Sequence, residues 1–191
     1  MTSASPARKR RPAPPGTKAS DDIAAMIRVD HAGEYGAVRI YEGQLAVLGR
    51  TAKGGETAAA IRRMAQQEQH HLKTFDALIN ERCVRPTALE PVWRLAGFAL
   101  GAATALMGEK AAMACTAAVE EVIDSHYADQ LTRLGDADAK LAKTVREFRA
   151  DEIAHREAAI AHGAEEAPGY QALTGAIKAG CRLAIALSTR I

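Results

Sequence analysis

Aromatic residues are scarce in this chain, at 4% of 191 residues, while 48% of the residues are hydrophobic and alanine recurs throughout. A β-sandwich needs a larger share of aromatic and β-branched side chains, so the composition points to helices packed closely through small residues. Cysteine is rare. Cys83, Cys115 and Cys181 are odd in number, far apart and without a Cys-x-x-Cys pair, which argues against a disulfide framework or zinc knuckle and suits a reducing compartment. Charge of one sign is also lacking, since a net charge of +2 leaves no footprint for nucleic acid. The stretch from Val92 to Met107 is nearly uncharged but carries Arg94, and it falls short of the roughly 20 apolar residues that span a membrane. No Gly-x-Gly-x-x-Gly run or other dinucleotide fingerprint occurs.

Acidic residues are missing before Asp21, where Arg8, Lys9, Arg10, Arg11 and Lys18 alternate with Pro6, Pro12, Pro14 and Pro15. Those prolines forbid a continuous helix, so residues 1–20 are expected to form a disordered basic tail attracted to anionic lipid. No apolar run follows the arginines, so neither a secretory nor a twin-arginine signal is expected, and the prolines make a poor transit peptide. Residues 21–191 suffice for one domain with a sizeable core.

Within that domain the periodicity predicts helices and no strand. The first starts near Ser20, with Asp21 and Asp22 suited to a helix N-terminus, and runs to the Gly54-Gly55 break. The second spans about Glu56 to Arg82, and Val92 to Met107 reads as a buried or interfacial helix. Two more long helices cover Glu109 to Leu134 and Ala137 to His162, and a last one begins near Pro168.

Carboxylates and histidines interrupt the apolar faces of the four long helices in a repeated order. Steps of three and four residues place Glu34 among Ile27, Val38 and Tyr41, and Glu68 and His71 among Ile61, Met64 and Phe75. The same stepping places Glu120 among Met113, Ile123 and Tyr127, and Glu152 and His155 among Leu141, Val145 and Phe148. The chain thus reads Glu, Glu-x-x-His, Glu, Glu-x-x-His, with intervals of 34 residues (34 to 68) and 32 residues (120 to 152). Chance alone gives roughly half a Glu-x-x-His pair in a chain of this composition, so the joint order carries the information. It is the ligand set of ferritin-like di-iron and di-manganese bundles.

Elementary electrostatics explains why such a set calls for metal. Four ionised carboxylates in an apolar interior repel one another and lose hydration, at a cost of several kcal/mol per ion. Two divalent cations offset the four charges, and oxygen donors with a few imidazoles suit iron or manganese. Asp30, His126 and Tyr127 flank the set as candidates to support the ligands. His70 is expected to face solvent, while His31 and His162 have no assigned role.

Beyond the pattern, the stretch Ile27-Arg-Val-Asp-His-Ala-Gly-Glu-Tyr-Gly-Ala37, followed by Arg39-Ile-Tyr41, closely resembles the demethoxyubiquinone hydroxylase family of ubiquinone biosynthesis. Similar matches occur at Gln67-Glu68 through His71-Leu72-Lys73, Arg85-Pro86-Thr87 and Gly97-Phe-Ala-Leu-Gly-Ala102. Ala112-Met-Ala-Cys-Thr116, Val119-Glu120-Glu121 and Ala179-Gly-Cys-Arg-Leu183 extend the resemblance to roughly residues 22–191. It implies an all-α, ferritin-like four-helix bundle with additional apolar helices. The family's metal ligands fall on Glu34, Glu68, His71, Glu120, Glu152 and His155, the residues the periodicity selects.

The resemblance further implies a monooxygenase that uses two iron ions and O2 to hydroxylate the ring of a demethoxyubiquinone-type polyprenyl quinone. NADH would be the reductant, acting through the quinone or a partner reductase. Such a substrate is confined to a bilayer, so peripheral contact with the cytoplasmic face of a bacterial inner membrane is expected. The matrix side of a mitochondrial inner membrane is the alternative, and other ubiquinone-biosynthesis enzymes are candidate partners. Leu95 to Met107 and the last helix are candidates for the membrane-facing surface. Two rival readings are a different oxidase chemistry on the same di-iron bundle and a non-catalytic bundle that binds quinone or scaffolds other enzymes.

Overall fold

The computed structural model describes residues 20–49 and 55–191. The expected basic tail lies outside the described residues except for Ser20, as do residues 50–54. Ser20 accepts a hydrogen bond from the Ile23 amide at 3.4 Å and caps α1 (Asp21–Leu48), whose first turn holds Asp21 and Asp22 against the positive end of the helix dipole. The helices α2 (Gly55–Glu81), α3 (Glu90–Leu106), α4 (Glu109–Leu134), α5 (Ala139–Ala161) and α6 (Tyr170–Ser188) follow, with a short 3-10 turn at Ala164–Glu166. The described residues contain no strand.

Three helix starts differ from the sequence reading, each for a local reason. Helix α3 begins at Glu90, two residues before Val92, because Pro91 is accommodated in its first turn. Helix α5 begins at Ala139, two residues after Ala137, because the Asp138 side chain caps the Leu141 amide at 3.0 Å. Helix α6 begins at Tyr170 instead of Pro168, because the 3-10 turn and Gly169, at φ 66°, reorient the chain first.

Helices α1, α2, α4 and α5 form the bundle proper. Its apolar interior is divided in two. At one end Leu48, Ile61, Met64, Ala112 and Met113 pack together with Tyr41. At the other Ile27, Phe75, Leu78, Leu141, Val145 and Phe148 pack with Tyr127. The inward carboxylates lie between these apolar plugs.

Helix α3 lies against α1 with almost no side chains between them. A β-carbon on Gly101 would stand 1.9 Å from the Ile40 carbonyl oxygen, and one on Gly43 would stand 2.2 Å from that of Phe98. Only glycine permits this approach, the close crossing that small-xxx-small helix pairs use. The start of α3 is tied to the end of α6 by Trp93 Nε1 donating to Ser188 Oγ at 2.9 Å. Both outer helices then turn apolar side chains outward: Val92, Leu95, Leu106, Met107 and Leu183 are between 51% and 75% exposed. The Val92–Met107 stretch is therefore a surface helix and not a core one. No described helix is long and apolar enough to cross a membrane.

Candidate metal centre

Each of the four bundle helices delivers its carboxylate to one buried point. Glu34 (α1), Glu68 and His71 (α2), Glu120 (α4), and Glu152 and His155 (α5) are all 2% exposed or less. Ligand atoms fall into two groups whose members lie within 4.8 Å of one another: Glu34, Glu68, His71 and Glu152, and Glu68, Glu120, Glu152 and His155. Either group can hold a metal ion, and Glu68 and Glu152 belong to both. Both rings turn Nδ1 inward. His71 Nδ1 stands 3.2 Å from Glu152 and 3.4 Å from Glu34, and His155 Nδ1 stands 3.1 Å from Glu68 and 3.3 Å from Glu152.

The donor set fits a pair of cations. Glu34 Oε2, Glu120 Oε2, both oxygens of Glu68 and of Glu152, and Nδ1 of His71 and His155 are buried without a hydrogen-bond partner. A fold that aims this many unpaired acceptors at one point leaves a desolvation cost that only bound charge offsets. Without metal, the same burial favours proton uptake. Burial, reinforced by the neighbouring carboxylates, pushes Glu68 and Glu120 well above the usual carboxylate range, and burial raises Glu34 against the pull of the adjacent His71 ring. Burial depresses the His71 imidazole, but the carboxylates of Glu152 and Glu34 beside Nδ1 outweigh it and lift it to about 10. Burial also raises Glu152, yet the adjacent His155 and His71 imidazoles and Glu120 pull it down to about 2, so it stays charged.

Around the carboxylates lies a shell with the same two-part order. Tyr41 on α1 donates to Glu120 on α4 at 2.7 Å, and Tyr127 on α4 donates to Glu34 on α1. Each tyrosine follows its own helix's glutamate by seven residues and bonds the other's. Behind the rings, His71 Nε2 meets Asp151 at 3.1 Å and His155 Nε2 meets the Gln67 carbonyl oxygen at 3.0 Å. Tyr127 thus donates to a carboxylate of the set.

Asp30 hydrogen-bonds none of the six residues. It is buried between His126 Nε2 at 3.0 Å and Gln130 Nε2 at 2.6 Å, because α1 turns it toward α4 and not toward α2. His126 supports Asp30 and touches none of the six residues through a hydrogen bond. Together with Gln130 it lines an open cavity of about 420 Å³ that also includes Met26, Val29 and Ile185. His31 is buried against Asp76 at 2.9 Å, His162 bonds the Ala158 carbonyl oxygen, and His70 faces solvent as expected.

Sequence reasoning missed Gln67, Asp151, Gln44 and Gln130. A signal for the first two was present, since each immediately precedes a Glu-x-x-His motif and so lies one helical step from the inward face. The glutamines follow their tyrosines by three residues in both halves, a repeat that is visible once the Glu-to-Tyr interval is noticed.

Comparison with known proteins agrees with this geometry. The family described as ubiquinone biosynthesis protein COQ7 matches residues 21–188. A 3-demethoxyubiquinol 3-hydroxylase of Rhodospirillum rubrum is 54% identical over 185 residues, covering 97% of this chain and 85% of that protein. A human protein named NADPH-dependent 3-demethoxyubiquinone 3-hydroxylase, mitochondrial, is 51% identical over 170 residues, covering 87% of this chain and 76% of its own. The Saccharomyces cerevisiae 5-demethoxyubiquinone hydroxylase, mitochondrial, is 40% identical across the whole chain and 89% of that protein. An all-helical bundle with a doubled carboxylate–histidine centre, matched to this family over almost its full length, is a member of the COQ7 family of demethoxyubiquinone hydroxylases.

Proposed function

We propose that this chain hydroxylates the ring of a demethoxyubiquinone-type polyprenyl quinone or quinol, using O2 and two iron ions held by Glu34, Glu68, His71, Glu120, Glu152 and His155. The observation that carries the reading is the convergence of unpaired buried oxygen and nitrogen atoms from exactly those six side chains. When bound, a pair of iron ions supplies the oxygen activation and redox chemistry that ring hydroxylation needs. Overall, the ring carbon–hydrogen bond, O2, two electrons and two protons give the hydroxylated ring and water.

The protein's share is placement and exclusion. Glu68 and Glu152 belong to both ligand groups and would help hold both ions, while Glu34 and Glu120 would each serve one. Tyr127 and Tyr41 fix the Glu34 and Glu120 carboxylates from the opposite helix, so each keeps one oxygen for its ion. The two apolar plugs keep bulk water from the centre, which protects a reactive site from side reactions.

A polyprenyl substrate does not leave the bilayer, so the enzyme must come to it. The outward Val92, Leu95, Leu106, Met107 and Leu183 form an apolar face suited to lie in the lipid interface, and the exposed Arg94 and Arg182 suit anionic headgroups. Peripheral attachment to the cytoplasmic face of a bacterial inner membrane is our reading, with the matrix face in mitochondria as the alternative. Electrons would originate in a reduced nicotinamide; relatives are named NADPH-dependent, where the resemblance suggested NADH. With no dinucleotide fingerprint in the chain, the quinone or a partner reductase would relay them.

Rescue of ubiquinone synthesis in cells lacking the activity tests the reading. The intact chain should rescue and Glu120→Ala should not, although it folds and reaches the membrane. Rescue by Glu120→Ala would favour the non-catalytic scaffold, and iron binding without quinone turnover would favour another di-iron oxidase.

A further inference from the structure

The two halves of the centre repeat each other closely enough that their differences stand out. In each half a tyrosine follows the helix glutamate by seven residues, and a glutamine follows the tyrosine by three. Each tyrosine bonds the opposite glutamate, and each glutamine bonds the residue four positions before that glutamate: Gln130 meets Asp30 at 2.6 Å and Gln44 meets Thr116 at 3.3 Å. The residue preceding each Glu-x-x-His bonds the opposite histidine. Only two equivalent positions of this set differ in kind. Asp30 pairs with Thr116, and Asp151 pairs with Gln67, so both extra carboxyl groups fall on the Glu34–His71 side.

We propose that this makes the two metal positions unequal, with Asp151 the positioning residue that makes the Glu34–His71 position the tighter. The inference rests on the metal-binding reading above. Because Nδ1 of each ring faces the carboxylates, Nε2 carries the N–H that points outward. Donated to a carboxylate, as from His71 to Asp151, that N–H leaves the imidazole more electron-rich and a stronger donor to an ion. Donated to a carboxamide oxygen, as from His155 to Gln67, it does so much less. The Gln67 amide reinforces its own orientation by pointing its nitrogen at Asp151 Oδ1, 3.4 Å away.

Partners of this kind change metal affinity by about 10- to 100-fold. The Asp151 side chain is 41% exposed and partly screened, so the lower end, about tenfold, is expected here. The consequence for function is order: one ion enters first, and the two ions respond differently to oxidation.

The test uses the full chain stripped of metal. Cobalt(II) is titrated in anaerobically by calorimetry, and one equivalent of 57Fe(II) per chain is read by Mössbauer spectroscopy. In the wild type the single equivalent should give one dominant quadrupole doublet. Asp151→Asn keeps shape and removes the carboxylate. It should weaken the first cobalt step about tenfold, leave the second nearly unchanged, and spread the iron over two doublets. Gln67→Glu, at an exposed position, should tighten the second step instead. Circular dichroism checks that each variant is folded. Two tight steps that neither substitution moves would overturn the inequality while sparing the metal reading. Failure of the folded wild type to bind two ions would overturn both.

Discussion

Loading the metal-free protein should expel protons. Each ion needs the lone pair of an inward Nδ1, yet His71, lifted to about 10, is protonated in nearly every molecule at pH 7. At least one proton must therefore leave per pair of ions. Glu34, Glu68 and Glu120, all raised by burial, add to it. One obligatory proton makes the apparent affinity rise tenfold per pH unit, about 1.4 kcal/mol, until pH approaches 10. Calorimetric titration in two buffers of different ionisation enthalpy counts the protons directly. Binding of two ions with no proton released, and with no dependence on pH, would refute the reasoning. Either the cluster does not hold those protons or the ions bind elsewhere.

The same shifts fix the sign of stability against pH for the metal-free protein. His71 is raised above its ordinary 6.5, so its contribution is fully present below that value and lost as pH rises toward about 10. The raised carboxyls act in the same direction from about 4.5 upward, and Glu152, lowered to about 2, acts oppositely, its contribution vanishing as pH falls below 4.5. Thermal unfolding of the metal-free chain should accordingly move to lower temperature between pH 6.5 and 10, while the loaded chain moves far less. Tyr41→Phe removes a charge-assisted bond worth about 1.5–3 kcal/mol from Glu120 and should weaken the ion it ligates by at least tenfold in a cobalt titration. Gly101→Val cannot keep a β-carbon 1.9 Å from the Ile40 carbonyl oxygen, so α3 must move off α1, at about 1–3 kcal/mol by denaturant unfolding. Leu95→Glu with Leu106→Glu takes two largely exposed leucines from the apolar face, a loss of roughly 3 kcal/mol, and should cut binding to lipid vesicles about 100-fold.

Much of this was legible in the sequence because helical periodicity is a direct map of direction. A glutamate three or four residues from isoleucine, valine and tyrosine on one stripe must point where they point, and all six selected side chains converge. The outer helices were harder to place. Val92 to Met107 is apolar enough to be core, and what puts it on the surface is Gly101 and Gly43, whose missing side chains let α3 press against one face of α1. That is a pairwise property no single stripe records. The partners of Asp30 escaped for a related reason. Counting residues places it one turn before Glu34, but its bond to His126 crosses from α1 to α4, and the rotation of one helix against another decides that contact. Asp151 and Gln67 lie just off the inward stripe, where a polar residue reads as solvated until the histidine of the facing helix is seen behind it.

The central claim is tested most directly by a single turnover under 18O2. The iron-loaded, reduced protein is mixed with a demethoxyubiquinol in lipid vesicles, and the product is weighed by mass spectrometry. The account predicts hydroxylated quinone carrying one 18O atom, formed only by protein that holds two irons per chain and lost in Glu120→Ala. Consumption of O2 by fully loaded protein with no hydroxylated ring, or with oxygen drawn from water, would contradict it.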